Sequence, residues 1–156
     1  MNFLAIIPLV ITILYLTIYF WRIHTIPESI SETSYLWSPG YFTAYCFALG
    51  FSLFIPWIFF TPQHYGFLCF LGVSGIFAAG SSPFFKEKFE AKIHYTGGIV
   101  AMLMWIVWMC LQSYYIPLVV FLGISALLSI LIKWNSMVFW GEVVGIATLC
   151  TLLLLK

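Results

Sequence analysis

Residues 86–94 read Lys-Glu-Lys-Phe-Glu-Ala-Lys-Ile-His and separate two long apolar stretches, 66–83 and 95–113. The segment holds three of the chain's six basic side chains, Lys86, Lys88 and Lys92. Working outward, four more apolar stretches appear at 3–21, 41–60, 116–132 and 138–155. Arg22 follows the first stretch and Lys133 the fifth, while the gaps after the second and fourth contain no Lys or Arg. Basic residues in alternate gaps between stretches of about 20 apolar residues are the pattern of a polytopic membrane protein. The bias places the first, third and fifth gaps in the cytoplasm and both termini outside.

Composition agrees. The 156 residues are 63% hydrophobic and 7% charged, with mean hydropathy +1.08. Soluble domains are roughly 45–50% apolar and about 25% charged. A net charge of +1 excludes the clustered cations of a nucleic-acid interface. Aromatic residues make up 21% and gather near the ends of the apolar stretches, as in interfacial belts. Cys46, Cys69, Cys110 and Cys150 lie in four different stretches without a CxxC pair, which suits apolar packing better than redox or zinc chemistry. The first stretch has no basic residues before it and no small-x-small site after it, so 3–21 is expected to be a retained helix.

Turn residues bound the stretches: Pro27 and Ser38-Pro39-Gly40, then Thr61-Pro62-Gln63-His64, Ser81-Ser82-Pro83, Gln112 to Pro117, and Lys133-Trp134-Asn135-Ser136. Long continuous runs exclude the short alternating segments of a membrane barrel. The third stretch carries Gly72, Ser74, Gly75, Ala78, Ala79 and Gly80, the fourth opens with Gly97, Gly98 and Ala101, and the sixth has Gly141 and Gly145 at GxxxG spacing. In lipid such positions let helix backbones approach closely. The expected fold is an all-α polytopic transmembrane bundle of six helices, N-out and C-out, in one domain over residues 1–156.

Ionisable residues collect on the face marked as cytoplasmic. Arg22, His24, Glu28 and Glu32 lie in the first gap, and the 86–94 segment lies in the third. Glu142 stands inside the sixth stretch, about six residues past Ser136, or roughly 9 Å along a helix. A carboxylate at that depth costs a few kcal/mol unless paired, hydrated or protonated, so it either clamps a neighbour or serves a site. His94 opens the fourth stretch in Lys-Ile-His-Tyr-Thr-Gly-Gly on the same side. Near a helix N-terminus it would hold a neutral ring or a bound anion. Ser29 and Glu32 match a capping box, predicting a short interfacial helix in the first gap, with Glu28 and Glu32 able to face the third-gap lysines.

Chemistry is less legible. His24, His94, Glu28, Glu32 and Glu142 share a face, but no HxxxH or HExxH spacing pins two ligands to one helix, so neither a metal nor a cofactor is expected. Ser81 or Ser82 with His94 and Glu142 has the residue types of a hydrolase triad but lacks a G-x-S-x-G elbow. A transporter would need a second intramembrane carboxylate. The Gly-rich third stretch, then Pro83, then His94 ahead of Gly97-Gly98, resembles DRAM-like and related small six-span integral membrane proteins across residues 66–113. That resemblance implies a six-helix bundle of no established enzymatic activity.

The leading functional expectation is a non-enzymatic binding or scaffold module of the inner or plasma membrane. Its cytoplasmic-side polar pocket would hold a lipid headgroup, small ligand or protein partner through Glu142, His94, Glu28, Glu32, Arg22 and Lys92. The alternative is an intramembrane lipid hydrolase or transferase with His94 and Glu142 as acid and base, and Ser81 or Ser82 as nucleophile. A channel or transporter subunit comes third. Membrane lipids are the expected partners, with a second copy or another membrane protein beside them.

Overall fold

The computed structural model describes residues 3–131 and 137–155. Among these residues the elements are helical throughout. A 3₁₀ turn, Phe3–Ala5, leads into α1 (Ile6–Ile23), followed by one-turn α2 (Thr33–Leu36) and α3 (Pro39–Phe59). A second 3₁₀ turn, Gln63–Tyr65, precedes α4 (Gly66–Ser81), and α5 (Lys88–Leu111), α6 (Tyr115–Leu131) and α7 (Met137–Leu154) complete the chain. Five segments are long and apolar enough to cross a membrane: Phe3–Ile23, Pro39–Phe59, Gln63–Ser81, Lys88–Leu111 and Met137–Leu154. The protein is therefore a multi-pass membrane protein. The remaining long helix, α6, is apolar but shorter, at 17 residues. Lys133, the Lys133-Trp134-Asn135-Ser136 lead into the last helix, the end of the fifth stretch at residue 132, and Lys156 lie outside the described residues.

Most helix ends fall where the turn residues put them. His24 closes α1 in the left-handed conformation (φ 56°), with its N–H on the Phe20 carbonyl at 3.0 Å. Pro39 starts α3, and Pro83 follows the end of α4, where the residue before a proline is pushed out of helical geometry. One boundary differs substantially from the expected one. The helix expected from residue 95 begins at Lys88, so part of the charged segment read as a connection is helical. Lys, Glu and Ala are strong helix formers, and Glu90 in the first turn complements the helix dipole.

α4 is the centre of the packing, with α3 on one side and α5 on the other. Its glycines explain how. A Cβ built on Gly75 would lie 2.5 Å from the Gly97 carbonyl oxygen and 2.8 Å from the Ala101 nitrogen. One built on Gly97 would lie 2.6 Å from the Gly75 oxygen and 2.8 Å from the Ala79 nitrogen. The α4 and α5 backbones therefore touch directly. On the α3 side, Gly72 receives the Trp57 ring and Gly80 receives Cys46. Thr43 Oγ1 adds an interhelical bond to the Gly80 carbonyl at 2.8 Å. The expected Gly141–Gly145 pair behaves differently. Gly141 has open space where a Cβ would go, and Gly145 makes only ordinary contact with Trp105 and Phe121. At that seam bulky rings, not opposing backbones, fill the interface.

A polar knot at the opposite end of the bundle from His94 ties α3, α4 and α5 together. Thr61 Oγ1 donates to the Trp57 carbonyl at 2.7 Å and accepts the Trp108 indole N–H at 2.7 Å, with Cys69 Sγ 3.1 Å away. Thr61 and Trp108 are both buried. Thr61→Val preserves the shape and orphans the indole N–H, at a cost of about 1–3 kcal/mol, whereas Thr61→Ser keeps the bonds. The expected result is a clear drop in melting temperature in detergent for valine and a much smaller one for serine.

Candidate functional site

The segment from His24 to Ser38 folds back over one end of the bundle and is held there from three sides. Its own turn comes first. Glu32 N–H donates to Ser29 Oγ at 3.2 Å, and the Glu32 carboxylate accepts from Glu28 N–H at 2.6 Å. This resembles the expected capping box, except that the glutamate reaches one residue further back than the motif requires. The turn then winds through i to i+3 bonds into the single turn of α2. Glu32 thus uses its carboxylate on its own loop.

Toward α1, the Tyr15 hydroxyl bonds to the Thr33 hydroxyl, and Thr33 also donates to the Ile30 carbonyl at 2.6 Å. Toward α7, the loop meets the helix start twice. Phe139 N–H donates to the Glu28 carbonyl at 3.0 Å, satisfying one of the first-turn amides that a helix leaves unpaired. Ile30 N–H donates to Glu142 Oε2 at 2.6 Å. Ile30 is buried and Glu142 partly buried, so the bond forms where water is scarce.

Toward α4 and α5 the contact runs through His94. Its ring is 5% exposed. Nδ1 lies 2.9 Å from the Ala79 carbonyl and 3.0 Å from the Ser82 carbonyl, and Nε2 lies 2.9 Å from Ser31 Oγ. Carbonyls only accept, so Nδ1 carries the proton and Nε2 presents its lone pair to the Ser31 hydroxyl. Phe85 stacks on the ring at 4.6 Å and 28°, and Phe42 flanks it at 5.9 Å. The ring therefore has little room to turn. Ser34 Oγ adds a bond to the Pro83 carbonyl at 2.9 Å, and Lys86 closes the edge with its N–H on the Tyr35 hydroxyl and its ammonium 4.5 Å above the Tyr35 ring.

These contacts revise the setting expected for His94. Because α5 begins at Lys88, the histidine stands nearly two turns into its helix and not in the first turn. Its neighbours are the carbonyls ending α4, a partially negative site that favours N–H donors over a bound anion. His94 and Glu142, expected as acid and base, each bond to the loop. The two residues grip consecutive loop positions, Ser31 and Ile30, and the loop backbone joins them. Ser82 meets His94 through its carbonyl, and the exposed Ser81 hydroxyl donates to Ala78, so neither presents a hydroxyl to the imidazole.

The other expected site residues lie further out. Glu28 and Lys92 are exposed. Arg22 is exposed at the end of α1, its guanidinium 5.4 Å from the Trp21 ring. It also lines an open groove of about 410 Å³ between α1 and α3, walled by Tyr15, Trp37, Tyr41 and Tyr45. Tyr15 stacks on Tyr45 at 4.2 Å and Trp37 on Tyr41 at 4.5 Å. Among the described residues no three His, Cys, Asp or Glu side chains converge on a metal position.

Ser31 and the groove tyrosines were not singled out by sequence reasoning. Ser31 is one of four serines between residues 29 and 38, and nothing local separates it from the rest. Compared with protein-family models, curated proteins and solved structures, the chain matches none, so the functional reading rests on this geometry.

Proposed function

We propose that this protein is a six-span protein of the inner or plasma membrane, with both termini outside, that binds an anionic phospholipid at its cytoplasmic end. The alternating basic gaps support the orientation. Contacts of the 24–38 segment with both the 83–86 segment and the start of α7 put the first and third connections and the α7 N-terminus at one end, as alternating crossings require. Six spans are also what the resemblance to DRAM-like proteins implies.

The observation that carries the binding reading is Arg22 at the α1–α3 groove. The groove walls are aliphatic and aromatic, suited to an acyl chain, and stacked tyrosine and tryptophan rings suit the level where chain meets headgroup. A guanidinium there offers a planar fork to a phosphate. Neither His94 nor Glu142 lines this groove.

Native mass spectrometry with added phosphatidylglycerol tests the reading. Arg22→Gln is expected to weaken the lipid adduct by about tenfold or more, since bonds to a charged group contribute roughly 1.5–3 kcal/mol. His64→Gln, exposed in the Gln63–Tyr65 turn between α3 and α4, serves as the control and should leave the adduct unchanged. Equal affinity of wild type and Arg22→Gln would sink the proposal.

A further inference from the structure

Beyond lipid binding, the geometry points to Ser31 as a nucleophile activated by His94, acting on the carboxylic esters of membrane lipids. The pair has the arrangement that hydroxyl activation needs. Ser31 Oγ is 2.9 Å from His94 Nε2, and the two carbonyls on Nδ1 leave that nitrogen as the acceptor. The Ala79 and Ser82 carbonyls take the orienting place that a carboxylate holds in a Ser-His-Asp triad, and their partial negative charge suits an imidazolium.

Access is graded in the useful direction. The base is buried, while Ser31 is half-buried in the loop above it. The loop lies at the end of the bundle that carries Arg22, Lys86, Lys88 and Lys92, so anionic headgroups are attracted there and their ester carbonyls lie at the adjoining depth. Ser31 faces His94, whereas Thr33 faces Tyr15 of the groove wall, so this site is distinct from the α1–α3 groove.

The step balances as follows. Ser31 Oγ forms a bond to the ester carbonyl carbon as its proton passes to His94 Nε2. The bond from that carbon to the alcohol oxygen breaks, and His94 returns the proton to the departing oxygen. Water then attacks the acyl-serine with His94 taking its proton, the bond from the acyl carbon to Ser31 Oγ breaks, and His94 returns the proton to that oxygen. The products are a carboxylic acid, an alcohol and free Ser31.

Full-length protein in mild detergent, treated with a fluorophosphonate, provides the test. Intact mass should rise by one probe, mapped to Ser31; Ser31→Ala should abolish the adduct and Ser81→Ala should keep it. His94→Gln, with folding verified by its melting transition, should slow labelling by about 10²–10⁴-fold, the usual contribution of a general base. Should that variant not fold, the labelling rate of wild type against pH replaces it and must rise with a single titration. No adduct on folded wild type, an adduct at another serine, a rate unchanged in folded His94→Gln or a flat pH profile would each overturn the assignment. The small probe does not use Arg22, so this result and that of the lipid-binding experiment fail separately.

Discussion

Gly75→Ala is expected to destabilise the bundle, although the same change at Gly98 or Gly141 is expected to be neutral or stabilising. All three positions are helical, where alanine gains about 0.5–1 kcal/mol over glycine from backbone entropy alone. At Gly98 and Gly141 nothing lies within 4 Å of a new Cβ, so that gain stands. At Gly75 the methyl would sit 2.5 Å from the Gly97 oxygen and 2.8 Å from the Ala101 nitrogen, and both are backbone atoms that cannot rotate away. The two helices must separate, and overpacking of this kind costs about 1–3 kcal/mol even in a forgiving core. Gly97→Ala meets the mirror-image obstacle. Melting curves in detergent for the four single variants give the answer. Similar transitions for Gly75→Ala and Gly98→Ala would show that α4 and α5 are not in backbone contact.

The second large effect is expected at the loop clamp. Glu142→Ala leaves the buried Ile30 N–H without an acceptor, a loss of about 1–3 kcal/mol, whereas Glu142→Gln retains an oxygen and should cost little. His94→Ala removes the ring that bridges the α4 carbonyls to Ser31 and leaves a hole under the loop. Both alanine variants should speed hydrogen exchange at the amides of residues 30–34 while sparing the α4–α5 interface. Because Ile30 and Ser31 are adjacent, their effects should not add, with a coupling of about 0.5–3 kcal/mol in the double variant. Unchanged loop protection in Glu142→Ala, or strict additivity, would mean that the loop is anchored elsewhere.

The depth of Glu142 in an apolar stretch was visible as a cost needing compensation, and it is met by Ile30, 112 residues away along the chain. Nothing near residue 142 names that partner. The Gly-rich third stretch announced close packing, and Gly75 shows it, but Gly141 carries the same signal without the contact. Spacing reports only that a helix face is small; whether a backbone or open space stands opposite depends on the neighbour. His94 was legible as a histidine at the opening of the fourth stretch, but not its setting, because the Lys-Glu segment that reads as a connection opens α5. Charged residues with high helix propensity extend a helix readily where it leaves the apolar layer.

What the sequence by itself determined is the class of this protein: long apolar runs admit only helices that satisfy their own backbones in lipid. Only the tertiary structure decided that His94 faces Ser31, 63 residues away, and that Glu142 faces the loop backbone instead of His94. Periodicity and charge act along the chain or across the bilayer as a whole. A hydrogen bond between two distant side chains depends on how helices rotate and settle against one another. That rotation is set by contacts such as Gly75 on Gly97, which no local pattern specifies.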